Sequence, residues 1–195
     1  ARVKSVIRRS KLMRDISPLT GLPGNFRATA EIGRRIAAGT PLAIGHLDLD
    51  NFKAFNDHYG FLRGDQVIKF AAHVMIEAAA SCSPTTFAGH IGGDDFIALL
   101  HPDEVEAFCR RVMTDFDAGI LDFYDPADSL RGFIDIPDRN GESRAFPIVS
   151  ISIGVATNRT RVLGSQWEAS SLAAEMKEVA KGELGSAYAV DRRVG

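Results

Sequence analysis

Thr85-Thr86-Phe87-Ala88-Gly89-His90-Ile91-Gly92-Gly93-Asp94-Asp95-Phe96-Ile97-Ala98-Leu99-Leu100 contains two short apolar runs, Thr85 to Ile91 and Phe96 to Leu100, on either side of an acidic turn. Gly92 and Gly93 open the positive-φ backbone that tight hairpin turns require, so the stretch predicts two antiparallel strands with adjacent carboxylates at their tip. Upstream, Leu42 to Leu47 is a third apolar run, suited to a buried strand that stops at Asp48. Helical spacing of apolar residues predicts helices over Phe26 to Ala38, Asp65 to Ala80, Pro102 to Gly119 and Trp167 to Lys181, with Gly60 and Gly64 bracketing a turn before the second. Ile148 to Ala156 and Tyr188 to Val190 read as strands. Leu121 to Phe146 is irregular, with turns at Asp125-Pro126 and at Arg139-Asn140-Gly141, the latter joining two strands. Helices and strands alternate throughout, which predicts an α/β or α+β class with a central sheet flanked by helices.

The 195 residues suffice for one core without metal or disulfide staples. A net charge of -2 gives no general attraction for nucleic acid or an anionic membrane, so an anionic ligand must be held by local donors. Cys82 and Cys109 have no Cys or His at metal-ligand spacing and read as thiols in a reducing compartment. No apolar run spans a membrane and no leader pattern occurs, so a cytoplasmic domain without membrane contact is expected. Residues 1–14 are strongly basic, with Val3, Ile7 and Leu12 or Met13 on one helical stripe. They read either as a linker helix from an upstream module or as a solvated basic face. The remaining residues, 15–195, form the expected domain.

Two acidic segments attract attention. Asp48 and Asp50 end an apolar strand, where unpaired carboxylates are costly to bury without a cation or donor. Strand alternation puts both on one face and Leu49 on the other, yet the Leu49 carbonyl can still approach an ion at the strand end. If the Asp94-Asp95 tip lies beside this strand, the carboxylates converge into an oxygen-only cluster. Such a cluster suits Mg²⁺, which retains waters and shares substrate phosphates.

Five segments together, Asp15-Ile-Ser-Pro-Leu-Thr-Gly-Leu22, Asp48-Leu-Asp-Asn-Phe-Lys-Ala-Phe-Asn-Asp-His-Tyr-Gly60, Gly64-Asp65, Gly92-Gly-Asp-Asp-Phe96 and Ser152-Ile-Gly-Val-Ala156, resemble the GGDEF family in order and spacing. The resemblance implies a nucleotidyl-cyclase-like fold with a mostly antiparallel central sheet. It implies condensation of two GTP molecules into cyclic di-GMP with release of two pyrophosphates, on Mg²⁺ or Mn²⁺, by a head-to-head homodimer. It further implies that Asp48, the Leu49 carbonyl, Asp94 and Asp95 serve the metal, with one of the two hairpin acids accepting the 3′-hydroxyl proton. Backbone amides of Asn51, Phe52 and Lys53, with the Lys53 and Lys181 ammonium groups, are implied to hold phosphates, Lys53 also acting in catalysis. Asn56 and Asp65 match the guanine-reading pair, a carboxylate accepting from N1–H and N2–H and an amide satisfying the remaining edge, donors that adenine lacks. Bland roles are available too: Asp65 as a helix cap, Lys181 as a helix-terminal cation.

The sequence also departs from the family. Asp95 stands where glutamate is usual, shortening the carboxylate by one methylene. His90 replaces an arginine that often precedes the hairpin, and the connection after Lys181, Gly182-Glu183-Leu184-Gly185-Ser186, holds no arginine where the family has one that contacts phosphate, which leaves the phosphate end short of cations. The product-inhibition motif, Arg-x-x-Asp, would fall on Ser83-Pro84-Thr85-Thr86 and is absent. The Gly-Gly-Asp-Asp-Phe variant resembles a subgroup found with CBS-pair and EAL phosphodiesterase modules. The alternative to a cyclase is therefore a GTP-binding module that regulates an attached phosphodiesterase without turnover.

Overall fold

The computed structural model describes residues 15–137 and 143–194. The expected linker helix over 1–14 and the turn at 139–141 lie outside these residues. In chain order the elements are α1 (Asn25–Ala37), β1 (Ala43–Asp50), α2 (Phe52–Tyr59), α3 (Phe61–Ala80), β2 (Phe87–Gly92), β3 (Asp95–Leu100), α4 (Val105–Gly119), α5 (Pro126–Arg131), β4 (Phe133–Pro137), β5 (Ser143–Pro147), β6 (Ser150–Thr157), α6 (Gln166–Ala180) and β7 (Ala187–Val190).

The main sheet has the order β2-β3-β1-β6-β7. Its pairs are antiparallel except β6 with β7, which are parallel. That exception follows from connectivity, since α6 carries the chain back across the sheet, as a parallel pair requires. β4 and β5 form a separate antiparallel pair.

Strand alternation divides the core into two layers. Leu47, Leu49, Phe96, Ile151 and Ile153 pack under α2, α3 and α4 with Phe55, Met75 and Phe108. Ile44, Ile97, Leu99 and Ala156 face the other way, against Ala28 and Ile32 of α1 and Ala169 and Ala173 of α6. Even-numbered positions of β1 therefore face α6, and Asp48 and Asp50 fall on that face.

Three sequence expectations change. β1 does not stop at Asp48 but runs to Asp50, because Ser150 and Ser152 of β6 donate to Asp50 at 3.1 and 2.6 Å and keep that acid in the ladder. Gly64 does not bracket a turn. α3 begins at Phe61 and Gly64 lies buried inside it, where the Asn56 side chain and the Phe52 ring occupy the space a Cβ would need. Short helices α2 and α5 arise where none was expected, linked by Tyr59, whose hydroxyl donates to the Asp128 carboxylate.

Candidate nucleotide and metal site

Register builds the acidic half of the site. Asp48 of β1 is the direct antiparallel partner of Asp95 of β3, so the two side chains project from adjacent strands on the α6 face. β3 ends at that pair, and Leu49 and Asp50 continue with β6 as their only strand partner. One backbone edge of β1 thus opens toward the hairpin tip, the location expected for the Leu49 carbonyl. At the tip, Gly92 has φ 148° and Gly93 φ 59°, and the half-buried Asp94 follows them.

Helix α6 brings the cations. Lys177 Nζ donates to Asp48 Oδ1 at 2.8 Å and to Asp95 Oδ1 at 2.7 Å, and Lys181 Nζ lies 2.8 Å from Asp48 Oδ2. Burial opposes ionisation of Asp48, but the hydrogen bonds from the two lysines outweigh it and hold the carboxyl below its ordinary value. Burial also opposes the charge on Lys177, and the bonds to Asp48 and Asp95 overcome it. Asp94 goes the other way, its carboxyl raised by burial, with the Asp48 and Asp95 charges adding to the effect. Beneath Lys177, burial first and the ammonium second hold His46 neutral down to about 4.

The lysines reach the strands because Gly154 lets α6 approach. A Cβ on Gly154 would overlap the Lys177 amide nitrogen and the Ala173 carbonyl. The glycine of the Ser152-Ile-Gly-Val-Ala156 segment is thus the packing point that sets the position of Lys177. Lys177 thus adds a cation beside the acidic pair that the sequence reading did not include. Lys177 went unread, although it stands four residues before Lys181 and hence on the same helical face.

On the other side of β1, Asn51 adopts the left-handed backbone, φ 61°, and turns the chain into α2. No side chain caps α2, so the first-turn amides at Phe52 and Lys53 keep free donors of the kind that bind phosphate. Phe52 is buried with its ring against Gly64, whereas Lys53 is exposed. Asn56 Oδ1 is buried without a donor among the described residues. It lies against Gly64, the residue before the half-buried Asp65.

No three His, Cys, Asp or Glu side chains converge on a cation position among the described residues. A full protein cage is not needed for Mg²⁺, which takes one or two carboxylates and completes its shell with water and phosphate oxygens. Asp48 and Asp95 fit that limited role, because a single ammonium already touches an oxygen of each. A cavity of about 300 Å³ at the opposite end of the sheet, lined by Asp103, Thr157, Tyr188 and Asp191 among others, includes none of the predicted residues.

Residues 15–118 match the family described as "Diguanylate cyclase, GGDEF domain". Diguanylate cyclase DgcP of Pseudomonas aeruginosa is 37% identical over 103 residues, which cover 51% of this chain and 15% of that protein. Cyclic di-GMP phosphodiesterase PdeR of Escherichia coli is 29% identical over 125 residues, covering 60% of this chain and 18% of that protein. The chain thus spans less than a fifth of either relative. The crystal structure of the GGDEF domain of DgcB from Caulobacter crescentus in complex with c-di-GMP superposes with TM-score 0.65 at 21% identity, covering 89% of this chain and 94% of that one. A diguanylate cyclase/phosphodiesterase from Caldicellulosiruptor saccharolyticus gives 0.67 at 16%, covering 95% and 98%. At these identities the two structures show a shared fold: a mostly antiparallel five-stranded sheet flanked by helices. Among the described residues no helix is long and apolar enough to cross a membrane.

Proposed function

Because this chain belongs to the GGDEF domain family, we propose that it binds GTP with Mg²⁺ or Mn²⁺ and condenses two GTP molecules into cyclic di-GMP, releasing two pyrophosphates. The observation that carries the reading is the direct pairing of Asp48 with Asp95 under one ammonium group. Two carboxylates on adjacent strands, reached by one positive charge, offer a position for a divalent cation shared with phosphates. When bound, the metal neutralises charge on the α-phosphoryl group and acidifies the attacking 3′-hydroxyl.

The residues of the chain divide the remaining work. Asp48 and Asp95 hold the cation's charge with the Leu49 carbonyl beside them. Asp94, half-buried at the hairpin tip with its carboxyl raised by burial, accepts the 3′-hydroxyl proton. The uncapped amides at the start of α2 receive phosphate oxygens, with Lys53, Lys177 and Lys181 balancing their charge. Asn56 and Asp65 read guanine, and the donor that Asn56 Oδ1 lacks is one that guanine supplies. Each copy presents one nucleotide, so closing both phosphodiester bonds takes two copies face to face.

A second reading, a GTP-binding module regulating an attached EAL phosphodiesterase beside a CBS pair, is favoured by Asp95, whose short carboxylate already leans on Lys177. One assay separates the two readings. A dimerised form of the chain given GTP and Mg²⁺ is expected to make cyclic di-GMP, and to make it faster with Asp95→Glu. GTP binding without product in either form would overturn the cyclase reading in favour of the regulatory one.

A further inference from the structure

We propose that His90 is the positioning residue of the acidic hairpin, fixing the tip at Gly93 against the N-terminal turn formed by Ser17 to Leu22. Its importance for turnover rests on the reading of Asp94 and Asp95 above, but its effect on the tip does not.

The tip needs an external tie. Gly92 and Gly93 both have positive φ, and freezing two such flexible residues costs conformational entropy. The β2–β3 ladder is also irregular there, with a register shift between His90 and Gly92. Strand pairing alone therefore specifies the direction of Asp94 weakly.

His90 supplies the tie from both ring nitrogens. Nε2 lies 2.9 Å from the Gly93 carbonyl oxygen, which can only accept, so Nε2 carries the proton. Nδ1 lies 2.8 Å from Ser17 Oγ and 3.2 Å from Thr20 Oγ1, and in the tautomer with the proton on Nε2 it accepts from both hydroxyls. Those hydroxyls in turn accept from the Thr20 and Leu22 amides, each at 3.3 Å. Every bond in this chain points the same way, from backbone amide to hydroxyl to imidazole to carbonyl, and such chains reinforce themselves. The ring is held in place by stacking on Phe96, with centroids 4.7 Å apart and planes at 20°, and its own amide donates to Pro23 O at 2.9 Å.

The far end of the tie is itself rigid. Ser17 N–H donates to Leu22 O and Gly21 N–H to Ser17 O, both at 2.8 Å. Asp15 accepts the Gly24 amide at its carbonyl and the Arg27 amide at its carboxylate, at 3.0 and 2.6 Å. A closed turn at the start of the domain thus sets the carbonyl that precedes Asp94, and moving that turn moves the acids.

The test compares wild type with His90→Phe, which keeps the stacked ring without nitrogens; with His90→Gln, whose amide N–H reaches toward Gly93; and with the pair Ser17→Ala and Thr20→Val. Deuterium uptake over residues 92–96 is read beside kcat and KM for GTP. His90→Phe is expected to speed exchange at the tip about tenfold, the factor lost with one hydrogen bond of ordinary net strength, leaving β1 and β6 unchanged. It should lower kcat while changing KM by less than about threefold, the pattern of a lost transition-state interaction. His90→Gln should recover most of both losses. The Ser17 and Thr20 pair should move tip exchange in the same direction and add nothing on top of His90→Phe. Wild-type exchange at the tip in His90→Phe, or additivity of the two changes, would overturn the proposal. Should His90→Phe fail to fold, wild-type exchange in the Ser17 and Thr20 pair overturns it equally. If no form turns over GTP, exchange alone decides, so the two readings fail separately.

Discussion

Gly154 lies under the cationic end of the candidate site and Gly64 under the end proposed to read the base, and what each would strike with a side chain is different in kind. A Cβ on Gly154 meets main chain, the Lys177 amide and the Ala173 carbonyl of α6. A Cβ on Gly64 meets the end of the Asn56 side chain and the edge of the Phe52 ring. The first end is satisfied within the chain, its carboxylates hydrogen-bonded to lysines on a helix that cannot shift without leaving the sheet. The second leaves Asn56 Oδ1 buried without a donor among the described residues. Stability and electrostatics are invested at the proposed metal end, and an acceptor is left unmet at the proposed base end among the described residues.

The largest effect should come from Gly154→Ala. Its methyl group has to push α6 away from β6, and overpacking against backbone costs about 3 kcal/mol, which urea unfolding would register as a lower midpoint at unchanged slope. Loss below about 1 kcal/mol would mean that α6 can slide, and the distinction between the two ends would disappear. Next comes Lys177→Met, which keeps the aliphatic stem but leaves Asp48 and Asp95 side by side. Half-exposure of Asp95, 45% for its side chain, and the remaining Lys181 contact reduce the cost of breaking the pair to about 2 kcal/mol. The lysines hold Asp48 below its ordinary pKa, so their contribution is present above that ordinary value and fades as pH falls through the depressed one. Lys177→Met should therefore lose more stability at pH 7 than at pH 3, and Mg²⁺ should stabilise it more than wild type. Asp65→Asn is smaller. It removes a carboxylate from the base end and should weaken GTP about tenfold in a binding titration with little change for ATP, a selective loss typical of an unpaired hydrogen-bonding edge.

The same contrast explains what could be read without coordinates. Alternation and glycine placement announce the hairpin, and the acids of β1 stand out against Leu47 and Leu49, so the strands, the helices and the metal end's carboxylates are local signals. Lys177 is different. Its role depends on which face of α6 meets the sheet, and that is set by Gly154 in another element. Helix α2 was hidden because Asn51 begins it from a left-handed backbone, which an apolar pattern does not disclose. Helix α5 is a six-residue element stabilised by contacts such as Tyr59 with Asp128, far apart in sequence. The boundary of α3 was misplaced because glycine was read as punctuation at Gly64, when its missing side chain is what lets Asn56 fit.

Gly64→Ala isolates that last point and should have the smallest effect on stability. Asn56 can swing aside where the α6 backbone cannot, and alanine in a helix interior gains about 0.5–1 kcal/mol over glycine, so the two terms offset to within about 1 kcal/mol. Binding should not share this tolerance. The displaced amide no longer meets the guanine edge beside Asp65, and GTP affinity should fall about fivefold with the melting temperature nearly unchanged. A variant that lost stability and kept its GTP affinity would reverse the assignment, making Gly64 a packing residue and removing Asn56 from the base-reading pair.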